Sequence, residues 1–273
     1  PVLVEGPAGT GKTQLAKSIA EITDARLIRL QCYEGLDESK ALYEWKYGKQ
    51  LLYSQLLRDK LDQVIDKESD LGESIRTLHR YEDIFFSPQF LEPRPLLKAL
   101  QEERGAVLLI DEVDKADEEF EAFLLEILSD FQVSIPEIGT VRARTKPYVF
   151  LTSNSTRELS EALKRRCLHL FIPFPAPDLE REIVRQHVPH IPVLLEKQLV
   201  TFIHEVRKLE LKKVPSISET IDWARALILL HAEGLDRDLT RKTLNTFLKF
   251  EEDIRAVDEK LSLLVDRALK ETA

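Results

Sequence analysis

The chain has no methionine among its 273 residues and begins with Pro1 directly ahead of the apolar run Val2-Leu3-Val4. It therefore reads as a fragment whose N-terminus lies upstream, and the lack of a targeting signal excludes little. Cysteine is nearly absent. Cys32 and Cys167 stand far apart and match no metal or redox spacing, so the expectation is two reduced, partly buried thiols in a cytoplasmic protein. No apolar run approaches the roughly 18 residues of a membrane-spanning helix. Positive charge is in deficit: 39 Lys and Arg against 48 Asp and Glu leave a net charge of −9. Such a chain is a poor non-specific ligand for nucleic acid or an anionic membrane. His187-Val188-Pro189-His190 has neither partners nor helical spacing for a metal. The 43% hydrophobic content suffices for a core, in one large domain or two modest ones.

What is present centres on residues 6 to 13. Gly6-Pro7-Ala8-Gly9-Thr10-Gly11-Lys12-Thr13 follows the strand-like Val2-Leu3-Val4 and leads into the helical Gln14-Leu15-Ala16-Lys17. Small residues let successive backbone N–H groups curl around a phosphate, and the dipole of the following helix adds positive potential. In this pattern Lys12 reaches the β- and γ-phosphates and the Thr13 hydroxyl binds Mg²⁺. The stretch Ala106-Val107-Leu108-Leu109-Ile110-Asp111-Glu112 reads as a strand buried on both faces that ends in two carboxylates. Active groups of parallel sheets sit at the carboxyl ends of strands, so Asp111 is expected to hold the Mg²⁺ and Glu112 to polarise an attacking water. A third apolar strand, Tyr148 to Ser153, delivers Asn154, expected to position that water or to cap the next helix, two roles that do not exclude each other. Arg165-Arg166 enters a further strand, Leu168 to Ile172, as surface charge or as a reach toward a neighbour's γ-phosphate.

Between these landmarks the pattern predicts a strand at Arg26 to Gln31 and an insert over about 36–95. The insert carries the aromatic trio Tyr43, Trp45 and Tyr47, a helix from Leu51 to Ile65, an acidic segment around Lys67 to Glu73, and Pro88, Pro93 and Pro95. The trio reads as packing or as a docking surface. Helices follow at Leu96 to Glu103 and at Glu118 to Phe131, the latter with an apolar stripe. Residues 132 to 146 alternate as a hairpin does, with Arg142, Arg144 and Lys146 on one face, for contact or for solvation. A polar helix is predicted over Thr156 to Lys164. Beyond the stiff linker Pro173-Phe174-Pro175-Ala176-Pro177 the pattern is helical: Asp178 to His187, Val193 to Leu209, Ser218 to Leu230 and Asp238 to Leu269. The expected fold is α/β, a P-loop parallel-sheet core over 1–175 followed by a small all-α lid over 176–273.

The order of P-loop, Asp111-Glu112, Asn154 and Arg166, with a helical lid after a linker, resembles the AAA+ ATPases. The insert and the hairpin resemble those of the MoxR branch. Leu30-Gln31-Cys32-Tyr33-Glu34-Gly35, Leu42-Tyr43-Glu44-Trp45, Ile110-Asp111-Glu112-Val113-Asp114-Lys115 and Leu163 to Pro175 resemble the MoxR ATPases associated with maturation of carbon monoxide dehydrogenase. The resemblance is strong to residue 175 and weaker after it. It implies Lys12 and Thr13 as the Walker A pair, Asp111 and Glu112 as Walker B, Asn154 as sensor 1, and Arg166 as arginine finger with Arg165 as the alternative. It further implies ATP and Mg²⁺ as cofactors, a homo-oligomeric and hexameric ring, a von Willebrand factor A domain partner and a metalloenzyme client such as a molybdenum hydroxylase. At the sensor 2 position the chain has Ser216-Ile217-Ser218-Glu219-Thr220; Arg225, nearly two turns on, either substitutes or the role is absent. Two other readings stay open: a nucleotide-gated assembly switch that hydrolyses little, and a clamp-loader-like ATPase acting on nucleic acid.

Overall fold

A computed structural model of the chain describes residues 1–64, 86–136 and 138–270. The predicted acidic segment around Lys67 to Glu73 and the end of the helix at Ile65 lie outside the described residues. Tertiary contacts divide the chain into two units, Pro1–Glu5 with Lys12–Phe171 and Gly6–Gly11 with Ile172–Ala273.

The first unit is built on a five-stranded sheet in the order β2-β5-β8-β1-β9, whose pairings are all parallel. Its strands are β1 (Val2–Glu5), β2 (Arg26–Gln31), β5 (Ala106–Asp111), β8 (Tyr148–Ser153) and β9 (Leu168–Phe171). All six residues of β5 are buried, as a central strand covered on both faces requires. Helix α1 (Lys12–Ile22) follows β1, yet β2 does not pair with β1; β5 and β8 lie between them. The predicted strand after Arg165-Arg166 forms the sheet edge as β9; among the described residues it pairs with β1, and Leu168, Leu170 and Phe171 are exposed.

Within the insert, α2 (Glu38–Ala41) precedes β3 (Tyr43–Trp45), which pairs antiparallel with β4 (Leu91–Pro93), and α3 (Tyr47–Val64) follows β3. The aromatic trio separates. Trp45 is buried, edge-on to Tyr43 at 5.9 Å and to Phe86 at 5.3 Å between ring centroids, whereas Tyr47 is exposed. Helix α4 (Pro95–Gln101) starts with proline at its first position and buries Leu96, Leu97 and Leu100. Helix α5 (Glu118–Asp130) is capped by Asp117, whose carboxylate accepts from the Phe120 N–H at 2.8 Å. The predicted hairpin forms from β6 (Gln132–Ile135) and β7 (Gly139–Arg142). Its basic face is partly consumed within the chain: Arg144 pairs with Glu103, and the Lys146 ammonium sits over the Phe131 ring.

The helix predicted over Thr156 to Lys164 is shorter in the structure, α6 (Glu161–Arg166), with Ser160 as its cap. Residues 156–159 stay out of helix because Thr156 is tied to the buried Asp114. Both its N–H, at 3.0 Å, and its hydroxyl, at 2.6 Å, donate to Asp114 Oδ2. Asn154 therefore does not cap this helix.

The second unit is helical: α7 (Pro177–His187), α8 (Val193–Val206), α9 (Ile217–Leu229), α10 (Arg237–Phe247), α11 (Glu251–Glu259) and α12 (Leu261–Lys270). Three helices replace the single one predicted from Asp238 to Leu269. Leu248 is buried in extended backbone and Lys260 leaves the helical region, so tertiary packing breaks a helix that no proline or glycine interrupts. The predicted stripe Leu195, Leu199, Phe202, Ile203 and Val206 is wholly buried, and Trp223 joins it at 5.3 Å from Phe202 and 4.5 Å from Phe247 between ring centroids. The Trp223 indole N–H donates to Thr243 Oγ1 at 2.9 Å. Val257, Leu261 and Leu264 of the last two helices are buried in the same core.

Among the carboxylates this unit buries, Glu180 is fully enclosed. Glu180 accepts from the Arg207 guanidinium at 2.6 and 2.8 Å, from the His204 ring at 2.8 Å and from Thr220 Oγ1 at 2.9 Å. Burial opposes ionisation, but the His204, Arg207 and Thr220 hydrogen bonds outweigh it and hold the carboxyl at about 2, against an ordinary 4.5. A depressed pKa contributes stability that is complete above the unfolded value and lost as pH falls through the folded one. The network is thus expected to weaken between pH 4.5 and about 2. Glu180→Gln leaves buried Arg207 without its counter-charge and is expected to cost about 3 kcal/mol near neutral pH. Urea unfolding monitored at Trp223 measures both effects; an unchanged midpoint would show that the network does not hold the unit together.

Candidate functional site

Thr13 is the second residue of α1, and its hydroxyl lies 3.1 Å from Asp111 Oδ1 and 3.4 Å from Oδ2. Asp111 ends β5. In the parallel register it faces Gln31 at the end of β2, so the sheet itself brings the two strand ends level. The Asp111 carboxylate is almost fully buried and fully engaged. Thr152 Oγ1, near the end of β8, donates to Oδ1 at 2.5 Å. The Arg29 Nε and Nη2 groups donate to Oδ2 at 3.0 and 2.6 Å.

Glu112 leaves the strand in left-handed backbone, with φ 56°. Its N–H donates to Thr152 Oγ1 at 2.9 Å, which fixes the turn. Its side chain is bracketed: Asn154 Nδ2 donates to Oε1 at 3.4 Å, Gln31 Nε2 donates to Oε2 at 3.1 Å, and the Lys115 ammonium lies 2.6 Å from Oε2. Lys12 is buried. Desolvation pulls its ammonium below the usual lysine range, against the opposing fields of Asp114, Asp111 and Glu112. Lys12, Thr13, Asp111, Glu112 and Asn154, separated by up to 142 positions in the sequence, thus belong to one carboxyl-end cluster.

The same acidic cluster silences a thiol. Burial first, and then the charges of Asp111, Asp114 and Glu112, push Cys32 up to about 12. The thiolate of Cys32 is thus disfavoured, and the side chain is buried in the core rather than partly so. Cys167 is raised by burial as well, and both cysteines are free.

The loop Gly6–Gly11 groups with the second unit. Gly6 has φ +150°, and a Cβ there would lie 2.1 Å from the Ile172 carbonyl oxygen, so no other residue fits. Gly9 has φ +74°, and its Cβ would meet the Ser216 Cβ and Oγ at 2.8 Å. Between them the loop is braced by Thr10 Oγ1 donating to the Pro7 carbonyl at 2.9 Å. Ser216 caps α9 in a reciprocal box with Glu219, while Arg225 pairs with Asp222 at 3.3 Å on the exposed face of the helix.

The two arginines at the end of α6 differ. Arg166 donates through Nε to Ser129 Oγ at 2.7 Å and through Nη1 to the Ala162 carbonyl at 3.1 Å. Arg165 is 81% exposed and reaches only Glu161, at 4.0 Å, among the described residues.

Arg29, Gln31, Thr152 and Lys115 carry no role in the sequence reading. For the first two the sequence offers only a strand alternation, which does not name the neighbouring strand. Arg29 and Gln31 alternate with Ile28 and Leu30 in β2, so both fall on the polar face that runs to the strand end beside Asp111. Among the described residues no group of three or more His, Cys, Asp or Glu could by itself hold a metal ion. No helix among them is long and apolar enough to cross a membrane.

A five-stranded parallel sheet with a glycine loop after β1, an acidic pair at the end of β5 and a helical region at the C-terminal end defines a P-loop NTPase fold of the AAA+ type. The chain belongs to the ATPase family associated with various cellular activities (AAA), whose model matches residues 2–175. It is similar to an uncharacterized protein of Staphylococcus epidermidis (strain ATCC 12228 / FDA PCI 1200), at 25% identity over 261 residues, covering 93% of this chain and 85% of that protein. An uncharacterized protein of Staphylococcus aureus (strain NCTC 8325 / PS 47) is 23% identical over 240 residues, covering 83% and 75%. Among solved structures, a mutant of Thermotoga maritima RuvB aligns with a TM-score of 0.47 at 18% identity, over 99% of this chain and 80% of that one.

Proposed function

We propose that the protein hydrolyses ATP to ADP and phosphate, with Gly6, Pro7, Ala8, Gly9, Thr10, Gly11 and Lys12 binding the phosphates. The observation that carries this reading is the buried Asp111 carboxylate within hydrogen-bonding distance of the Thr13 hydroxyl, with Glu112 next in the chain and bracketed by Asn154. The pair also fits Mg²⁺, a hard cation that takes few protein oxygens and completes its shell with phosphates and water. When bound, Mg²⁺ neutralises charge on the β- and γ-phosphates. Lys12 lies in the field of three carboxylates and supplies the positive charge that makes the site attractive to a polyanion. Glu112 accepts the proton of the attacking water, and Asn154, whose Nδ2 lies 3.4 Å from Glu112 Oε1, helps to orient that water.

We further propose a homo-oligomeric ring, hexameric by resemblance, in which Arg166 serves a neighbour's site. The stretches that resemble the MoxR branch support a chaperone that remodels a client, a metalloenzyme such as a molybdenum hydroxylase, together with a von Willebrand factor A domain protein in the cytoplasm.

Equilibrium binding of a fluorescent ATP analogue, followed by steady-state phosphate release against protein concentration, tests the reading. Lys12→Ala is expected to weaken binding by about 100-fold, the loss of a charge-assisted contact worth about 3 kcal/mol. Retained affinity would remove Lys12 from the phosphate site, and tight binding without turnover would favour the assembly switch.

A further inference from the structure

We propose that Arg29 sets the metal affinity of the site by competing with Mg²⁺ for Asp111. The inference rests on the nucleotide-site reading above and deepens it.

The geometry is specific. Two nitrogens of one guanidinium, Nε at 3.0 Å and Nη2 at 2.6 Å, converge on the same carboxylate oxygen, Asp111 Oδ2. The other oxygen already accepts from Thr152 at 2.5 Å, and Thr13 donates at 3.1 Å. Asp111 has one unit of negative charge, its side chain is 5% exposed, and the guanidinium beside it neutralises that charge. A divalent cation held by Asp111 and Thr13 draws on the same charge and the same lone pairs. Either Arg29 withdraws from Oδ2, or the cation binds against the repulsion of a fixed positive charge.

Arg29 is able to withdraw. Its side chain is 51% exposed, it sits at the fourth position of β2, and Nη2 also donates to Gln31 Oε1 at 2.5 Å, so a second acceptor lies next to Asp111. A lysine would present a single hydrated ammonium in place of the planar pair of donors. The site is therefore balanced by an internal cation that can move. Asp111 keeps a counter-charge without metal, and Mg²⁺ must outcompete that counter-charge to bind.

Mg²⁺ titration of fluorescent ADP binding tests this without any turnover. Arg29→Gln is expected to lower the half-saturating Mg²⁺ concentration by about tenfold, because one opposing charge at close range is removed. Arg29→Lys, which keeps the charge but loses the fork, is expected to fall between Arg29→Gln and the parent protein. Thermal unfolding in EDTA supplies the second readout. Arg29→Gln is expected to melt several degrees lower in EDTA and close to the parent with Mg²⁺ and ADP, since the metal then supplies the missing charge. A general loss of packing cannot tighten a metal. An unchanged or higher Mg²⁺ requirement in Arg29→Gln, with the parent binding ADP normally, would overturn the competition and leave Arg29 as a strand-face ion pair. Failure of the parent to bind ADP at any Mg²⁺ concentration would overturn the nucleotide reading and this inference with it.

Discussion

Glu112→Gln is expected to bind ATP as tightly as the parent protein and to turn it over about 10²- to 10⁴-fold more slowly, the span associated with a positioned general base. The substitution is close to isosteric. Asn154 can still donate to an amide oxygen at this position, so the 3.4 Å contact has no reason to be lost. The left-handed backbone at residue 112 and the N–H bond to Thr152 involve no atom of the carboxylate, so the turn is preserved. What disappears is the proton acceptor, along with the ion pair to Lys115 at 2.6 Å and the bond that Oε2 accepts from Gln31 Nε2 at 3.1 Å. Lys115 is half exposed, and ion pairs of that kind contribute little to stability, so the fold is expected to tolerate the change. Equilibrium binding measured beside single-turnover phosphate release separates the two steps. A variant that releases phosphate within about threefold of the parent would take Glu112 out of the reaction.

Much of the site is legible in the sequence, because each part lies at the end of an unmistakable strand. Val2-Leu3-Val4, Ala106 to Ile110 and Tyr148 to Ser153 are largely apolar runs, and all three strands lie inside the parallel sheet with a neighbour on each side. Residues that follow them must emerge at one common edge, which is why Thr13, Asp111, Glu112 and Asn154 group together without any distance in hand. Arg29 and Gln31 are not legible for the complementary reason. Their alternation with Ile28 and Leu30 is that of any half-exposed strand, and nothing in β2 itself states that its neighbour is β5 and not β1. Local pattern also fails where tertiary contacts override it. Thr156 is drawn out of helix by Asp114, and Leu248 breaks a helical period by entering the core. The Glu180 network cannot be read at all. A glutamate on an amphipathic helix is ordinarily at the surface, and only the fold brings Arg207, His204 and Thr220 onto it.

The largest rate effect is expected from Arg166→Ala, about 10³- to 10⁵-fold if its guanidinium completes a neighbour's site. The resemblance favours Arg166 and leaves Arg165 as the alternative, since the doublet makes the register ambiguous by one residue. The difference between them is in how they are held. Arg166 is anchored through Nε by Ser129 at 2.7 Å and through Nη1 by the Ala162 carbonyl at 3.1 Å, and Nη2 forms no bond among the described residues. A catalytic cation is effective when its orientation is fixed before the charge it stabilises develops. Arg165, at 81% exposure with one contact at 4.0 Å, has no such anchoring and resembles ordinary surface charge. Arg165→Ala is therefore expected to stay within a few-fold of the parent, and Ser129→Ala to lose part of the rate by loosening Arg166. Subunit mixing then decides whether the arginine acts across an interface. Arg166→Ala subunits keep Glu112, and Glu112→Gln subunits keep Arg166, so random co-assembly of two inactive variants rebuilds about a quarter of the interfaces with both groups intact. Recovery of turnover on mixing, rising with total protein concentration, is the expected outcome. No recovery from a mixture shown by cross-linking to have co-assembled would mean that Arg166 and Glu112 serve the same subunit, and an inactive Arg165→Ala beside an active Arg166→Ala would move the role by one residue.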